Sequence, residues 1–325
     1  MTPSASSDRP AQPSVGLIVP CFDEEEVLPA LFESLGPVLD RLGPEARVLL
    51  VNDGSRDGTA DLLDAQCARD PRYGVLHLSR NFGHQAAITA GLQHVRGDVV
   101  VLLDADLQDP PDLVPAMIAT WREGYDIVYG VRQKRKEAWV LRAAYRVFYR
   151  LLKRMANVDI PLDAGDFSLM DRRVVDLLNR MPEQNRFVRG LRGWVGFRQT
   201  GLPYERAERR AGAPKYNLPR LMRLALDGLV SFSIVPLRLA VWLGLATSLF
   251  GFLYLIYAVA ERLLVGTTPP GWASLVVLIL LLGGIQLVMI GIIGEYVGRI
   301  FEEVKGRPRF IVARESGWAR DEGHG

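Results

Sequence analysis

An apolar run ending Leu102-Leu103 empties directly into Asp104-Ala105-Asp106-Leu107-Gln108-Asp109-Pro110-Pro111. Carboxylates so closely spaced at the end of a strand can hold a hard divalent cation. Mg2+ or Mn2+ prefers oxygen ligands and completes its shell with water and substrate phosphates, which makes Asp104 and Asp106 candidate ligands for a metal and a diphosphate. Paired aspartates in a turn also serve as turn formers and helix caps, so the placement after a strand carries the metal reading.

Three other strand ends are similarly equipped. Asp53-Gly54-Ser55-Arg56-Asp57-Gly58, with Asp61 and Asp64, has the oxygen spacing of an EF-hand loop. The segment entering it, however, is the buried strand RVLLVN, and its last position is Asp64 in place of a bidentate Glu. It therefore reads as a strand-to-helix turn in which Asp53 accepts a hydrogen bond from a ligand and Asp57 or Thr59 caps the next helix. Pro20-Cys21-Phe22-Asp23-Glu24 and Ser79-Arg80-Asn81-Phe82-Gly83-His84-Gln85 are the remaining two. Convergence of Asp23, Asp53, Arg80, Asp104 and Asp106 on one rim predicts a binding site, with His84 read as a helix-start hydrogen-bonding residue and not as a base.

The elements that must bring these residues together follow from periodicity. Five short apolar strands (VGLIVP, RVLLVN, GVLHL, DVVVLLD, DIVYG) alternate with amphipathic stretches near 28–39, 59–68, 85–95 and 111–123. This is an α/β rhythm with a mostly parallel sheet covered on both faces, and in such sheets ligands sit beyond the carboxyl ends of the strands. The first 13 residues read as a disordered tail without the apolar stretch of a secretory signal. Cys21 and Cys67 are too few for a disulfide framework and read as small core residues in a reducing compartment.

Charge is unevenly spread. Of 37 acidic and 39 basic residues, 20 and 9 fall at or before Gly130, leaving 17 and 30 after it. An acidic front suits a metal or polar ligand, and a basic back followed by apolar runs suits an anionic membrane surface better than nucleic acid. Arg142, Arg146, Arg150 and Arg154 recur at steps of four, predicting an interfacial helix near 139–155, with a second near 216–229. Residues 239–260 and 263–294 contain no charge. A 22-residue helix is about 33 Å long, against a hydrocarbon core of about 30 Å, so two spans near 239–260 and 272–294 are predicted. Arg220, Arg223 and Arg238 before them and Arg299, Lys305, Arg307 and Arg309 after them place both termini in the cytoplasm. Gly294 and Gly298 form a small-x-x-x-small pair that suggests a homo-oligomer or a contact between the spans. The division is thus a tail at 1–13, a cytoplasmic domain at 14–230, a membrane domain at 231–298 and a cytoplasmic tail at 299–325.

The blocks VPCFDEEE, VNDGSRDGT, LSRNFGHQAAITAGL and LDADLQDPP resemble the family 2 glycosyltransferases of the GT-A fold. RFVRGLRGW, ERRAGAPKYNL, VPLRLAVWLG and IGEYVGRIFEEVKGRPRF are similar to the branch that makes polyprenyl-phosphate sugars, the bactoprenol glucosyltransferases and dolichol-phosphate mannose synthases. The resemblance implies transfer of a hexose from a nucleotide diphosphate sugar, with UDP-glucose the leading donor, to undecaprenyl or another polyprenyl phosphate, with inversion. Residue by residue, it implies that Pro20, Glu24 and Asp53 hold the nucleotide, that Asp104 and Asp106 hold the metal and diphosphate beside Gln108, and that Arg210 and Lys215 approach phosphate oxygens. It sets Asp166 at the reaction centre as orienter, weak base or helix cap. The basic stretch from Arg132 to Arg154 is expected to serve the lipid headgroup. The chain departs from the family's usual Tyr-Asn-Glu at Phe22-Asp23-Glu24, and from its usual Ser at Pro214. A processive polysaccharide synthase is the rival enzyme, but Gln184-Asn185-Arg186-Phe187 stands where those resemble Q-x-x-R-W, and two helices do not enclose a tunnel. A non-catalytic anchored scaffold is the other alternative, against which the complete set of strand-end carboxylates argues.

Overall fold

The computed structural model describes residues 9–133, 164–184, 186–205, 235–264 and 271–318. The chain divides into a unit built on the sheet and a second unit, Arg154–Ala156 with Tyr216–Arg307, that contains two long helices.

In the first unit, β1 (Val15–Cys21), β2 (Ala46–Asn52), β3 (Tyr73–Leu78) and β4 (Val99–Leu102) alternate with α1 (Leu28–Leu42), α2 (Thr59–Arg69) and α3 (His84–His94). A 3-10 turn at Pro111–Leu113 leads into α4 (Val114–Arg122) and β5 (Ile127–Gln133). Then come β6 (Ala164–Asp171), α5 (Arg172–Arg180), α6 (Val188–Trp194) and β7 (Gln199–Glu205). The five strands expected from the sequence are all present, in one eight-stranded sheet of order β7-β5-β6-β4-β1-β2-β3-β8, where β8 is Val312–Gly317. β1, β2, β3 and β4 pair in parallel, whereas β6 runs antiparallel to both β4 and β5, and β8 runs antiparallel to β3.

Both faces of the central strands are covered, which is why they read as continuous apolar runs. Every residue of β1 is buried, and α1 buries Leu28, Leu31, Leu35, Val38 and Leu39 at helical spacing against the sheet. Cys21 and Cys67 are free and buried as expected; burial pushes the Cys67 thiol up to about 12 and that of Cys21 further still.

Two segments read as tails are structured. From Arg9 the N-terminal stretch is held to the domain: the Arg9 guanidinium lies 2.7 Å from Asp126 and 4.7 Å from the Trp121 ring centroid. In the predicted tail 299–325, the long helix runs on to Lys305 and Val312–Gly317 becomes the edge strand β8. Periodicity missed β8 because VARESG has no apolar alternation; β3 supplies its hydrogen-bonding partner.

In the second unit, α7 (Val235–Leu264) and α8 (Trp272–Lys305) contain the two predicted spans, 239–260 and 272–294, and extend beyond them. Both are long and apolar enough to cross a membrane, with windows of mean hydropathy 1.9 and 1.6, and both leave large apolar side chains such as Trp242 and Leu287 exposed. The interfacial helices predicted near 139–155 and 216–229, and the loop 266–270, lie outside the described residues.

Candidate active site

The loops after β1 and β2 form one corner. The Asp23 amide donates to Ser55 Oγ (3.1 Å) while Asp23 Oδ1 accepts from the Arg56 amide (2.8 Å). Glu25 Oε2 accepts from the Gly58 amide (2.6 Å), and the Glu24 amide donates to Thr59 Oγ1 (2.9 Å). The acidic run at 23–26 is therefore partly consumed in tying two turns together. Asp23 adopts a left-handed φ of 52°, which Asp tolerates, and Pro20 is buried in the strand just before it. The N-cap position of α2 is Gly58, neither Asp57 nor Thr59, although Asp57 Oδ1 accepts from the Thr59 amide (3.1 Å) in the first turn.

Asp53, only 3% exposed, turns to the third loop: its two oxygens accept from the Phe82 (2.7 Å) and Gly83 (2.9 Å) amides. Burial pushes its carboxyl up, and those two amides counter it. Gly54 sits against this loop with φ 67°, where an added Cβ would come within 2.4 Å of the Arg80 carbonyl carbon; glycine is required there on both counts. The Arg80 guanidinium stacks 4.0 Å over the Phe82 ring at the exposed rim.

The fourth loop carries the paired aspartates. Leu107 is held at φ 56°, unusual for a branched apolar residue and a mark of strain at a functional turn. The Gln108 amide donates to Asp106 Oδ1 (3.1 Å), Gln108 is buried, and Asp109 is fully buried with Tyr204 Oη donating to its carboxylate.

Antiparallel pairing then completes the site. Leu102 of β4 is opposite Ser168 of β6, so two residues beyond Leu102 on one strand and two before Ser168 on the other bring Asp104 and Asp166 to the same sheet edge. His84, first residue of α3, has Nε2 3.7 Å from Asp104 Oδ1 and 3.7 Å from Asp166 Oδ2. Arg189 of α6 closes the far side, with Nη2 3.3 Å from Asp166 Oδ2. Arg192, one turn on and 2% exposed, donates to the Gly165 carbonyl (3.3 Å) and lies 5.4 Å from the Tyr129 ring centroid. The helix bearing both arginines is docked by the Val188 amide donating to Gln85 Oε1 (2.9 Å).

The two carboxylates titrate in opposite directions. Burial pushes Asp104 up to about 6; the His84 charge offsets this in part, and Asp166, Asp109 and Asp106 add to the rise. Burial also acts on Asp166, but the His84 and Arg189 contacts overcome it and hold its carboxyl well below the usual range. Burial and the neighbouring Arg189 lower Arg192 to about 10.

Asp104 Oδ1 is buried with no hydrogen-bond partner among the described residues. A buried anionic oxygen without a donor is costly unless a cation meets it, so Asp104 and Asp106 fit a hard divalent metal. Among the described residues no group of three or more His, Cys, Asp or Glu is arranged to hold a metal ion by itself, so the rest of the shell falls to water and substrate oxygens.

Residues 17–178 match the family described as Glycosyl transferase family 2, and residues 235–300 match the GtrB C-terminal hairpin. The chain is 46% identical over 302 residues to "Uncharacterized glycosyltransferase YkcC" of Bacillus subtilis (strain 168), covering 93% of this chain and 94% of that one. It is 39% identical over 301 residues to the SfII prophage-derived bactoprenol glucosyl transferase of Shigella flexneri, covering 92% and 97%. Among solved structures it resembles the mannosyltransferase PcManGT from Pyrobaculum calidifontis in complex with GDP-Man and Mn2+, with TM-score 0.48 and 20% identity over 68% of this chain and 65% of that one.

The chain belongs to glycosyl transferase family 2. It is a glycosyltransferase of the GT-A fold, as the resemblance implied. The structure gathers Asp104, Asp106 and Asp166 at one sheet edge, and sets Asp23, Glu24, Asp53 and Arg80 on the neighbouring loops. Arg132 closes β5 near its end, and Arg210 and Lys215 lie outside the described residues. The helix-cap alternative for Asp166 is corrected: it lies within β6, and the cap of α5 is Asp171, which accepts from the Arg173 amide. Sequence reasoning missed His84 as a member of this glycosyltransferase's carboxylate cluster, and missed Arg189 and Arg192 altogether. The available signal was their spacing of three in RFVRGLRGW, which puts both on one helix face.

Proposed function

We propose that this enzyme transfers a hexose, with glucose from UDP-glucose as the leading donor, to a polyprenyl phosphate such as undecaprenyl phosphate at the cytoplasmic face of the membrane. The observation that carries the reading is the juxtaposition of a buried Asp104 oxygen that accepts no hydrogen bond with an arginine-held Asp166 at the sheet edge, in a chain whose hairpin matches that of the GtrB family and whose relatives include a bactoprenol glucosyl transferase.

A phosphate oxygen of the lipid attacks the anomeric carbon as the bond from that carbon to the nucleoside diphosphate breaks, inverting the centre. A phosphate monoester has its second pKa near 6, so it arrives ionised and needs positioning more than deprotonation. Asp166, held low by His84 and Arg189, is correspondingly a weak base, which favours a role in orienting the acceptor. Arg189 and His84 offset the charge that accumulates where one anion attacks and another departs. Asp104 and Asp106 would hold Mg2+ or Mn2+, which when bound neutralises the departing diphosphate. Pro20, Asp23, Glu24, Asp53, Arg80 and Gln108 shape the nucleotide-sugar pocket.

Arg132, Arg210 and Lys215 are proposed to meet the lipid phosphate. The domain limits proposed are 14–230 for the catalytic part and 231–298 for the membrane part. The chain returns after α8 to add β8 to the sheet, which supports an even number of crossings, and the basic residues flanking the spans favour cytoplasmic termini. Full-length protein incubated with a panel of nucleotide sugars, undecaprenyl phosphate and either Mn2+ or chelator tests the reading. A metal-dependent lipid-linked hexose is expected; no lipid product from any donor would overturn it.

A further inference from the structure

A line of polar contacts unrelated to the metal-binding loop runs from the C-terminal strand to the nucleotide corner. Arg314 of β8 pairs across the sheet with His77 of β3, and its Nη2 donates to Asp64 Oδ2 on α2 (2.5 Å). Asp64 Oδ1 lies 3.1 Å from His77 Nε2, and His77 Nδ1 lies 3.0 Å from Asn52 Nδ2. Asn52 Oδ1 accepts from the Ser55 amide (3.0 Å), and Ser55 Oγ accepts from the Asp23 amide. Asn52 and His77 are 4% and 5% exposed, so no water substitutes freely for either partner.

The donors fix every orientation in this line. The Ser55 amide can only donate, so the Asn52 oxygen faces it and the Asn52 NH2 faces His77. His77 Nδ1 must then accept, its proton sits on Nε2, and Asp64 takes that proton in a hydrogen bond. We propose that His77 is a positioning residue for the nucleotide site, locking the Asn52 carboxamide so that the 53–58 turn is ordered, and that β8 sets it through Arg314 and Asp64. This rests on the reading of the 53–58 turn as part of the nucleotide pocket. It gives the strand that follows the apolar hairpin a part in donor binding.

An imidazolium would break the line. With protons on both nitrogens, His77 would face the Asn52 NH2 donor to donor, and the carboxamide would have to flip and leave the Ser55 amide without an acceptor. The charged groups facing His77 are Asp64 from α2 and Arg314 from β8; burial lowers its pKa, Arg314 adds to the lowering and Asp64 opposes it. Donor binding should therefore be intact at neutral pH and weaken on acidification below the ordinary histidine range.

The test uses full-length protein in detergent, with UDP and Mn2+ as the probe, and compares His77→Leu, His77→Gln and Arg314→Ala. Glutamine can accept from Asn52 and donate to Asp64, whereas leucine can do neither. His77→Leu should speed hydrogen exchange in a peptide spanning 53–58 and weaken UDP binding about tenfold, with kcat at saturating donor within about twofold of wild type. His77→Gln should restore both within about threefold and abolish the acid weakening. Arg314→Ala, at the surface, should move both in the same direction by about threefold, and it serves if His77→Leu fails to fold. Unchanged exchange at 53–58 in His77→Leu and Arg314→Ala would overturn the positioning role whatever binds. Faster exchange with unaltered UDP affinity would overturn the link to the nucleotide. Wild-type protein that binds neither UDP nor GDP would instead overturn the pocket reading itself, and the exchange data tell the two failures apart.

Discussion

Replacing Asp104 with Asn separates what the site costs the fold from what it contributes to the reaction. The carboxyl is raised from 3.8 to about 6, chiefly by burial and then by three neighbouring carboxylates that His84 offsets only in part. That rise corresponds to about 3 kcal/mol of unfavourable free energy on the ionised, metal-free site at neutral pH, taken as an upper bound because the side chain is 27% exposed. Asparagine keeps the shape and removes the charge, so metal-free Asp104→Asn should be more stable than wild type by up to about 3 kcal/mol. For a domain of this size that is a Tm rise of at most about 6–12 °C. Mn2+ with UDP should stabilise wild type by about 2.7 kcal/mol at a hundred times Kd and leave the variant unmoved. Turnover should fall at least about 100-fold, because the diphosphate loses its electrostatic clamp. Tryptophan-fluorescence melts in chelator and in Mn2+ with UDP, run beside a lipid-product assay, measure all three. An Asp104→Asn protein that melts below wild type in chelator, or that turns over at the wild-type rate, would refute the assignment of Asp104 as a charge waiting for a cation.

Other outcomes follow from the same structure. Asp171→Ala should lose about 2–4 kcal/mol in urea unfolding, since it removes the α5 cap and leaves the buried Trp121 indole N–H, now 2.9 Å from Asp171 Oδ2, without its acceptor. Burial raises Asp171, but the Arg173 contacts outweigh it and hold its pKa low; its contribution is therefore complete above about pH 4 and is lost as pH falls below that, and Asp171→Ala should flatten that acid limb. A cysteine at Thr267 should react with an impermeant maleimide in intact cells; labelling only after lysis would contradict the proposed topology. Lys215→Ala should raise the KM for polyprenyl phosphate with little change in UDP binding, whereas single changes at Arg142, Arg146 or Arg150 should have small, salt-sensitive effects.

How much of this was legible from the chain depends on the range of the interaction involved. The first four strands, their helices and the two uncharged spans were readable because burial on both faces, or in lipid, writes itself locally as apolar runs of characteristic length. The strand-end aspartates were readable for the same reason, since a sheet exposes the residues just beyond its strands. His84, Arg189 and Arg192 were not, because their meaning comes from an antiparallel pairing between β4 and β6 that sets Asp166 beside Asp104 across about sixty residues of intervening chain. Strand β8 was hidden likewise. VARESG has no core-facing alternation and becomes a strand only because β3 offers it an edge, so its Arg314 acquires a partner in Asp64, 250 residues away in sequence. Sequence by itself determined which residues could carry charge, bind a cation or enter a membrane. Tertiary structure decided which of those charges meet: burial and pairing raise one carboxylate, lower another and orient a buried amide, and each of those effects acts through space between segments whose separation along the chain carries no trace of it.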